Sequence, residues 1–92
     1  MTKTLRLRLS GRVQNVGYRA FAVRLAVDLG LSGWVRNRTN GQVEILVAGD
    51  EAALELVIAR CRQGPRLARV DDVAVSDTTE AAPSGFEERP TR

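Results

Sequence analysis

The sequence predicts an α+β domain in which strand, helix, strand, strand, helix and strand follow one another, with both helices on one face of an antiparallel sheet of four or five strands. Two observations predict this fold class. Apolar and polar residues alternate in several short segments, as in strands with one buried face, and apolar residues recur every three or four positions in two longer segments, as in helices. With 92 residues, 43% of them hydrophobic, the chain supports one core and not two. We therefore expect one domain over 1–92, with its core over about 4–89.

The first half of the chain contains a strand, a helix and a hairpin. Leu5, Leu7 and Leu9 alternate with polar residues and predict the first strand. The first helix is predicted by an apolar face that ends before Gly30 and consists of Ala22, Leu25, Ala26 and Leu29. Residues 33–37 and 43–47 predict two further strands, because Asn40-Gly41 between them favours a tight hairpin turn.

The second half adds a helix and one or two strands. Asp50 is a candidate N-cap, and Gly64-Pro65 ends a helix whose apolar face consists of Leu54, Val57, Ile58 and Cys61. Residues 70–76 predict the fourth strand, and residues 86–89 predict a short edge strand. The resulting order, βαββαβ, is that of the ferredoxin-like α/β sandwich.

The composition excludes several function classes. The chain has no histidine, so it lacks the usual general base. Its one cysteine, Cys61, cannot form an internal disulfide or a structural zinc site. The net charge of +3 indicates, weakly, an anionic partner. Because no apolar run is long enough to span a bilayer and no basic start precedes an apolar segment, we expect a cytoplasmic monomer with no membrane partner.

The segment from Gly11 to Arg19, which joins the first strand to the first helix, is predicted to hold an anion. Amides at the start of a helix have no intrahelical partner, and the helix dipole adds partial positive charge there. Gly17 permits close backbone approach, and the planar Arg19 guanidinium can bind two phosphate oxygens at once. Since the helical crossover makes the first two strands parallel, we expect Asn37, which ends the second strand, to approach Arg19.

The same segments carry a family resemblance. GRVQNVGYRAF resembles the acylphosphatase signature, GLSGWVRNRTNGQVEI resembles the second conserved block of that family, and the likeness continues to Ser84-Gly85-Phe86-Glu87. The resemblance implies hydrolysis of the carboxyl-phosphate bond of a small acyl phosphate, with phosphate or another inorganic anion held in the loop. It implies no metal, no cofactor and no covalent intermediate.

Roles for individual residues follow from the resemblance. It implies that Arg19 and the amides of Asn15, Val16, Gly17 and Tyr18 bind the substrate phosphate and that Asn37 orients the attacking water. Asn15 departs from the pattern, because the family commonly has a glycine at this place in the loop. We expect Asn15 to adopt a positive φ, which Asn tolerates better than most residues, and the departure places catalytic efficiency in doubt.

Alternative interpretations remain open at this point. A catalytically weak or silent anion-binding or regulatory domain would keep the same loop. A nucleic-acid-binding module is disfavoured, because the first and third strands lack the aromatic residues on which bases stack. Cys61 lies on the apolar helix face and position 67 is Leu, so a phosphatase-like cysteine nucleophile is also disfavoured. We interpret the arginines of the first strand as a solvated sheet face and Trp34 as a core residue.

Overall fold

A computed structural model describes residues 2–92, so Met1 of the predicted domain lies outside the described residues. Residues 2–92 form two helices and five strands. In chain order these are β1 (Thr2–Arg12), α1 (Tyr18–Asp28), β2 (Ser32–Asn37), β3 (Val43–Asp50), α2 (Glu51–Gln63), β4 (Arg69–Asp77) and β5 (Phe86–Glu88). Within residues 2–92 no helix is both long and apolar enough to cross a membrane.

The five strands form one sheet in the order β4-β1-β3-β2-β5. The first four pair antiparallel, which makes β1 and β2 parallel to each other with β3 between them. The predicted antiparallel sheet is confirmed for β1 to β4, whereas the edge strand β5 differs from the prediction because it pairs parallel with β2. The chain leaves β4 at one edge and crosses the sheet to the opposite edge before β5 begins, so β5 enters in the direction of β2.

Both helices pack on one face of the sheet, as the apolar patterns predict. Leu5, Leu7 and Leu9 of β1 face the helices and are buried with the apolar sides of α1 and α2. Burial of a leucine side chain contributes about 1.5–3 kcal/mol, so this alternating set is a main source of stability.

The helix ends are those that the sequence predicts. Asp50 Oδ1 accepts a hydrogen bond of 2.8 Å from the amide of Ala53, and Gly64, with φ +69°, ends α2. At the end of α1 the amides of Gly30 and Leu31 donate back to the carbonyls of Val27 and Ala26, a Schellman motif that needs the positive φ of Gly30.

The sheet face opposite the helices is not the solvated surface that the alternation predicts. Glu44 on β3 is only 1% exposed, because arginines from β1 and β2 surround its carboxylate. Trp34 is buried as predicted, but its register opposite Leu46 assigns it to this second face, where guanidinium groups of Arg36 and Arg89 lie over its ring. Glu80, in the segment between β4 and β5, forms an ion pair with Arg6 on this face.

Candidate active site at the β1–α1 loop

The loop between β1 and α1 exposes a row of hydrogen-bond donors. Gly17 is the N-cap of α1 with φ +80°, and no side chain caps the helix. Asn15 has φ +62°, as predicted, and is the only non-glycine residue with positive φ in residues 2–92. No hydrogen bond within the same residues uses the backbone amides of residues 15–20. This end of the helix therefore offers several amides and the positive end of its dipole to an anion.

Arg19 lies beside these amides. It lines a cavity of about 170 Å³, whose wall is formed by Val13, Asn15, Gly17, Tyr18, Arg19, Ala20, Asn37 and Glu88. Arg19 takes part in none of the ion pairs within residues 2–92, so its guanidinium has no carboxylate partner there. A guanidinium without a partner next to free amides can bind a tetrahedral oxyanion through two parallel hydrogen bonds.

Asn37 reaches the same cavity from the end of β2, as the parallel arrangement of β1 and β2 predicts. Its backbone is fixed by pairing with Val43 and by the amide of Arg92, which donates to the Asn37 carbonyl at 3.1 Å. The residue is 8% exposed, and its Oδ1 atom is buried with no hydrogen-bond partner within the described residues. An unpaired buried acceptor costs about 1–3 kcal/mol, a cost typical of functional positions.

Two of the predicted binding residues have side chains in the core. Tyr18 is 2% exposed and its hydroxyl donates a 2.6 Å hydrogen bond to the Cys61 carbonyl. Burial and the proximity of Cys61 raise the pKa of Tyr18 well above its usual range, so the phenol stays neutral. Val16 is buried in the core and does not line the cavity that Arg19 and Asn37 share. Only the backbone of these residues is available to an anion.

Cys61 lies in the core of the domain, as predicted. Its side chain is fully buried, and burial raises the pKa of the thiol to about 11, although the nearby Tyr18 acts in the opposite direction. The thiol is therefore protonated at neutral pH and is not available as a nucleophile.

Gly11 has a structural role that the motif alone does not indicate. It lies at an irregularity in the β1–β4 pairing with φ +117°, and a Cβ atom there would come within 2.2 Å of the Arg69 carbonyl oxygen. Gly11 does not line the cavity of Arg19 and Asn37. Glycine is required at position 11 because two strands pack closely there. Gly17, in contrast, has open space around its Cα atom and lines the cavity.

Gln14 is a positioning residue that the sequence analysis did not single out. Its Nε2 atom donates to the carbonyls of Arg38 and Gln42 at 2.7 and 2.8 Å. These two bonds tie the β1–α1 loop to the hairpin that follows Asn37. The sequence carries no distinct signal for this role, because Gln14 is one of several polar residues in the loop.

Glu88 lines the cavity of Arg19 and Asn37, and the sequence did not indicate it as a site residue. It lies on β5 opposite Val35 and contributes the only carboxylate to the cavity wall. Its position depends on the parallel pairing of β5 with β2, which no local pattern indicates. Within residues 2–92 no cluster of three or more histidine, cysteine, aspartate or glutamate side chains is arranged to hold a metal ion.

A comparison with protein families gives one match over most of the chain. The family model described as Acylphosphatase matches residues 5–88. An acylphosphatase of Rhodospirillum rubrum is 49% identical over 89 residues, which cover 97% of this chain and 98% of that protein. An acylphosphatase of Thermus thermophilus is 51% identical over 78 residues, which cover 85% of this chain and 89% of that protein.

Solved structures agree with the sequence relatives. A crystal structure of acylphosphatase from Bacillus subtilis superposes with a TM-score of 0.89 at 34% identity, covering 97% of this chain and 99% of that chain. An acylphosphatase from Coxiella burnetii superposes with a TM-score of 0.91 at 28% identity, covering 96% of this chain and 93% of that chain. The likeness therefore extends over nearly the full length of each chain.

Proposed function

Because this chain belongs to the acylphosphatase family and hydrolyses acyl phosphates, we propose that the β1–α1 loop and Arg19 bind the substrate phosphate while Asn37 orients the attacking water. The observation that carries this proposal is the composition of one cavity wall. Within residues 2–92, this wall combines an arginine that forms no ion pair, residues whose backbone amides form no hydrogen bond, and an asparagine whose buried amide oxygen has no hydrogen-bond partner. The proposal assigns each of these groups to one part of a phosphoryl-transfer reaction.

The phosphate is held by Arg19 and by the amides of Asn15, Val16, Gly17 and Tyr18. Each charge-assisted hydrogen bond contributes about 1.5–3 kcal/mol, so two from Arg19 and two or three from the amides suffice to fix the orientation of the phosphate. Inorganic phosphate presents the same oxygens, and we expect it to bind in the loop as a competitive inhibitor. The site requires no metal ion, because the loop and Arg19 themselves neutralise the phosphate charge.

Water enters the reaction at Asn37. The free Oδ1 atom accepts a hydrogen bond from the water and so directs a lone pair of the water oxygen toward phosphorus. A new oxygen–phosphorus bond forms, the bond from phosphorus to the acyl oxygen breaks, and the acyl group leaves as a carboxylate. The water proton passes to a phosphate oxygen, which makes a histidine or another strong base unnecessary. The products are carboxylate and inorganic phosphate, with no covalent enzyme intermediate.

The alternatives gain no support from the geometry. A silent anion-binding domain would be favoured if Asn15 distorted the loop, yet Asn15 has φ +62°, the positive φ expected of the glycine that it replaces. A nucleic-acid-binding module needs stacking residues on an accessible sheet face, whereas Trp34 is covered on that face. A cytoplasmic monomer remains our prediction for the state of the protein.

The test is hydrolysis of benzoyl phosphate by the purified protein with a metal chelator present. Arg19→Lys keeps the charge but loses the planar pair of donors, and we expect its turnover to fall by at least about 10³-fold. Arg62→Lys, an exposed arginine in the last turn of α2, is the matched control and should stay within about twofold of the parent. A rate that the chelator abolishes, or an Arg19→Lys variant that keeps its rate, contradicts the proposal.

A further inference from the structure

Glu88 lies at the junction of two cavities. It lines the 170 Å³ cavity of Arg19 and Asn37, and it also lines a neighbouring cavity of about 480 Å³ whose other wall residues are Ala20, Val23 and Arg24. Ala20 and Glu88 are common to both walls. The two cavities therefore adjoin at these residues, and a substrate with its phosphate in the smaller cavity and its acyl group in the larger one lies against Ala20 and Glu88.

The side on which Glu88 lies is determined by strand pairing. Phe86 of β5 packs against the core that the helices cover, and side chains two residues apart in a strand lie on the same face. Glu88 therefore faces α1, whereas Glu87 lies on the opposite face with Arg89 and Trp34. The two neighbouring glutamates carry the same charge on different sides of the sheet.

The charge of Glu88 is not neutralised locally. Within the described residues Glu88 forms no ion pair, unlike Glu44, Glu80 and Glu87. The wall of the smaller cavity contains one cation, Arg19, and one carboxylate, Glu88. If Arg19 binds the phosphate, Glu88 is the charged group that remains for the acyl part of the substrate. Arg24 is exposed and lines only the larger cavity of the two, so acyl atoms near the carbonyl reach Glu88 first.

We infer that Glu88 is a specificity-determining residue that disfavours acyl phosphates with a negative charge on the acyl group. The inference rests on the proposed phosphate site at Arg19. A carboxylate on the acyl group would lie close to Glu88 and be repelled, whereas a neutral group of the same shape would not. A unit charge about 4 Å away in a water-like medium changes an equilibrium by about fivefold. Discrimination of this size affects kcat/KM without changing the chemistry of the bond that breaks.

The experiment uses two substrates that differ in charge and hardly in shape, 3-carboxybenzoyl phosphate and 3-carbamoylbenzoyl phosphate. The measured quantity is the ratio of kcat/KM for the carbamoyl substrate to that for the carboxy substrate, at low ionic strength. Comparing this ratio between protein variants cancels the intrinsic reactivity of the substrates. We expect the ratio to fall about fivefold in Glu88→Gln and further in Glu88→Lys. High salt should reduce the difference between parent and variants.

Glu87→Gln is the matched control, because it removes the same charge one residue away on the other sheet face. Its ratio should stay within about twofold of the parent. The inference is overturned if both Glu88 variants keep the parent ratio, or if Glu87→Gln changes the ratio as much as Glu88→Gln does. Benzoyl phosphate hydrolysis by Arg19→Lys separates the two levels. If Arg19→Lys loses activity while the kcat/KM ratios of the Glu88 variants equal that of the parent, only the role of Glu88 is wrong. If Arg19→Lys keeps its activity, both the phosphate site and the role of Glu88 are wrong.

Discussion

Arginine serves two opposite purposes in the two regions of this molecule. On the sheet face opposite the helices, the carboxylate of Glu44 forms ion pairs with four arginines. The N–O distances range from 2.6 Å for Arg6 to 3.7 Å for Arg8. At the β1–α1 loop, Arg19 has no carboxylate partner within residues 2–92. A paired arginine holds the fold together, and an unpaired arginine beside free amides is available for a ligand. The difference lies in the surroundings and not in the residue type.

The comparison extends to the buried polar atoms of each region. The carboxylate oxygens of Glu44 accept hydrogen bonds from Arg6 at 2.6 Å and from Arg36 at 2.8 Å, so both oxygens have partners. In the loop region the buried Oδ1 atom of Asn37 has no hydrogen-bond partner within residues 2–92. The first region satisfies the Glu44 carboxylate internally and leaves only the indole N–H of Trp34 without a partner within residues 2–92. The second leaves a set of donors and an acceptor for substrate and water. Substitutions in the two regions should therefore separate stability from turnover.

After Arg19→Lys, the largest expected effect is that of Asn37→Ala. If the free amide oxygen orients the water, its loss should lower kcat for benzoyl phosphate by about 10²–10³-fold, the range found when one preorganised polar group is removed. The inhibition constant of inorganic phosphate should change by less than about threefold, because Arg19 and the loop amides remain. Circular dichroism should show an intact fold. Equal losses in kcat and in phosphate binding would assign Asn37 to anion binding instead.

Glu44→Gln should show the reverse behaviour. Removing one partner of a buried ion pair costs about 3–5 kcal/mol, and because some of the arginines are partly exposed here we expect a loss of about 2–3 kcal/mol in the free energy of unfolding. Urea unfolding measures this loss. The value of kcat, assayed well below the unfolding transition, should stay within about twofold. A variant that loses turnover as strongly as stability would mean that the two regions are coupled.

The same substitution tests the pH dependence of stability. Burial by itself would raise the pKa of Glu44, but the hydrogen bonds and charges of Arg6 and Arg36 outweigh it and hold the pKa below its usual value. Glu44 therefore stabilises the fold above the ordinary pKa of a glutamate, about 4.3, and this contribution is lost as the pH falls through the lowered pKa of the folded state. Glu44→Gln should lose less stability than the parent between about pH 5 and pH 3.

Gln14→Ala tests how firmly the loop region is held. The two hydrogen bonds from Gln14 to the β2–β3 hairpin keep the donors of the loop in register with Asn37. Each of the two carbonyls also accepts a hydrogen bond from a backbone amide. Loss of the Gln14 side chain should therefore lower the free energy of unfolding by only about 1–2 kcal/mol. Turnover should fall about tenfold, because small displacements of catalytic groups have large kinetic effects. Gln63→Ala, an exposed glutamine at the end of α2, is the control.

Local sequence patterns predict much of the fold and the centre of the site. The capping residues Asp50, Gly30 and Gly64 act within one turn of chain, and the parallel course of β1 and β2 follows from a single helical crossover. Arg19 and Asn37 could therefore be assigned to one sheet edge, and the structure brings them to one cavity.

The features that were missed depend on contacts between distant segments. Burial of Glu44 requires arginines from β1 and β2, and alternation along β3 alone predicts an exposed residue. The position of Glu88 requires β5 to pair parallel with β2 after a crossing of the whole sheet. Neither register is encoded within a few residues, so a pattern of period two cannot reveal it.

The smallest expected effect is that of Asn15→Gly, which sharpens the comparison at the loop itself. Asn15 adopts φ +62°, a conformation that costs a non-glycine residue of order 1 kcal/mol and costs glycine nothing. Glycine should therefore keep the loop in shape and give a kcat equal to that of the parent or up to about threefold higher. Asn15→Ala is the contrasting variant, because alanine tolerates this conformation less well than asparagine, and its kcat/KM should fall about three- to tenfold. A large loss of turnover in Asn15→Gly, with no larger loss in Asn15→Ala, would contradict this prediction. It would show that the Asn15 side chain contacts the substrate, and that Asn15 does not act through the backbone conformation of the loop.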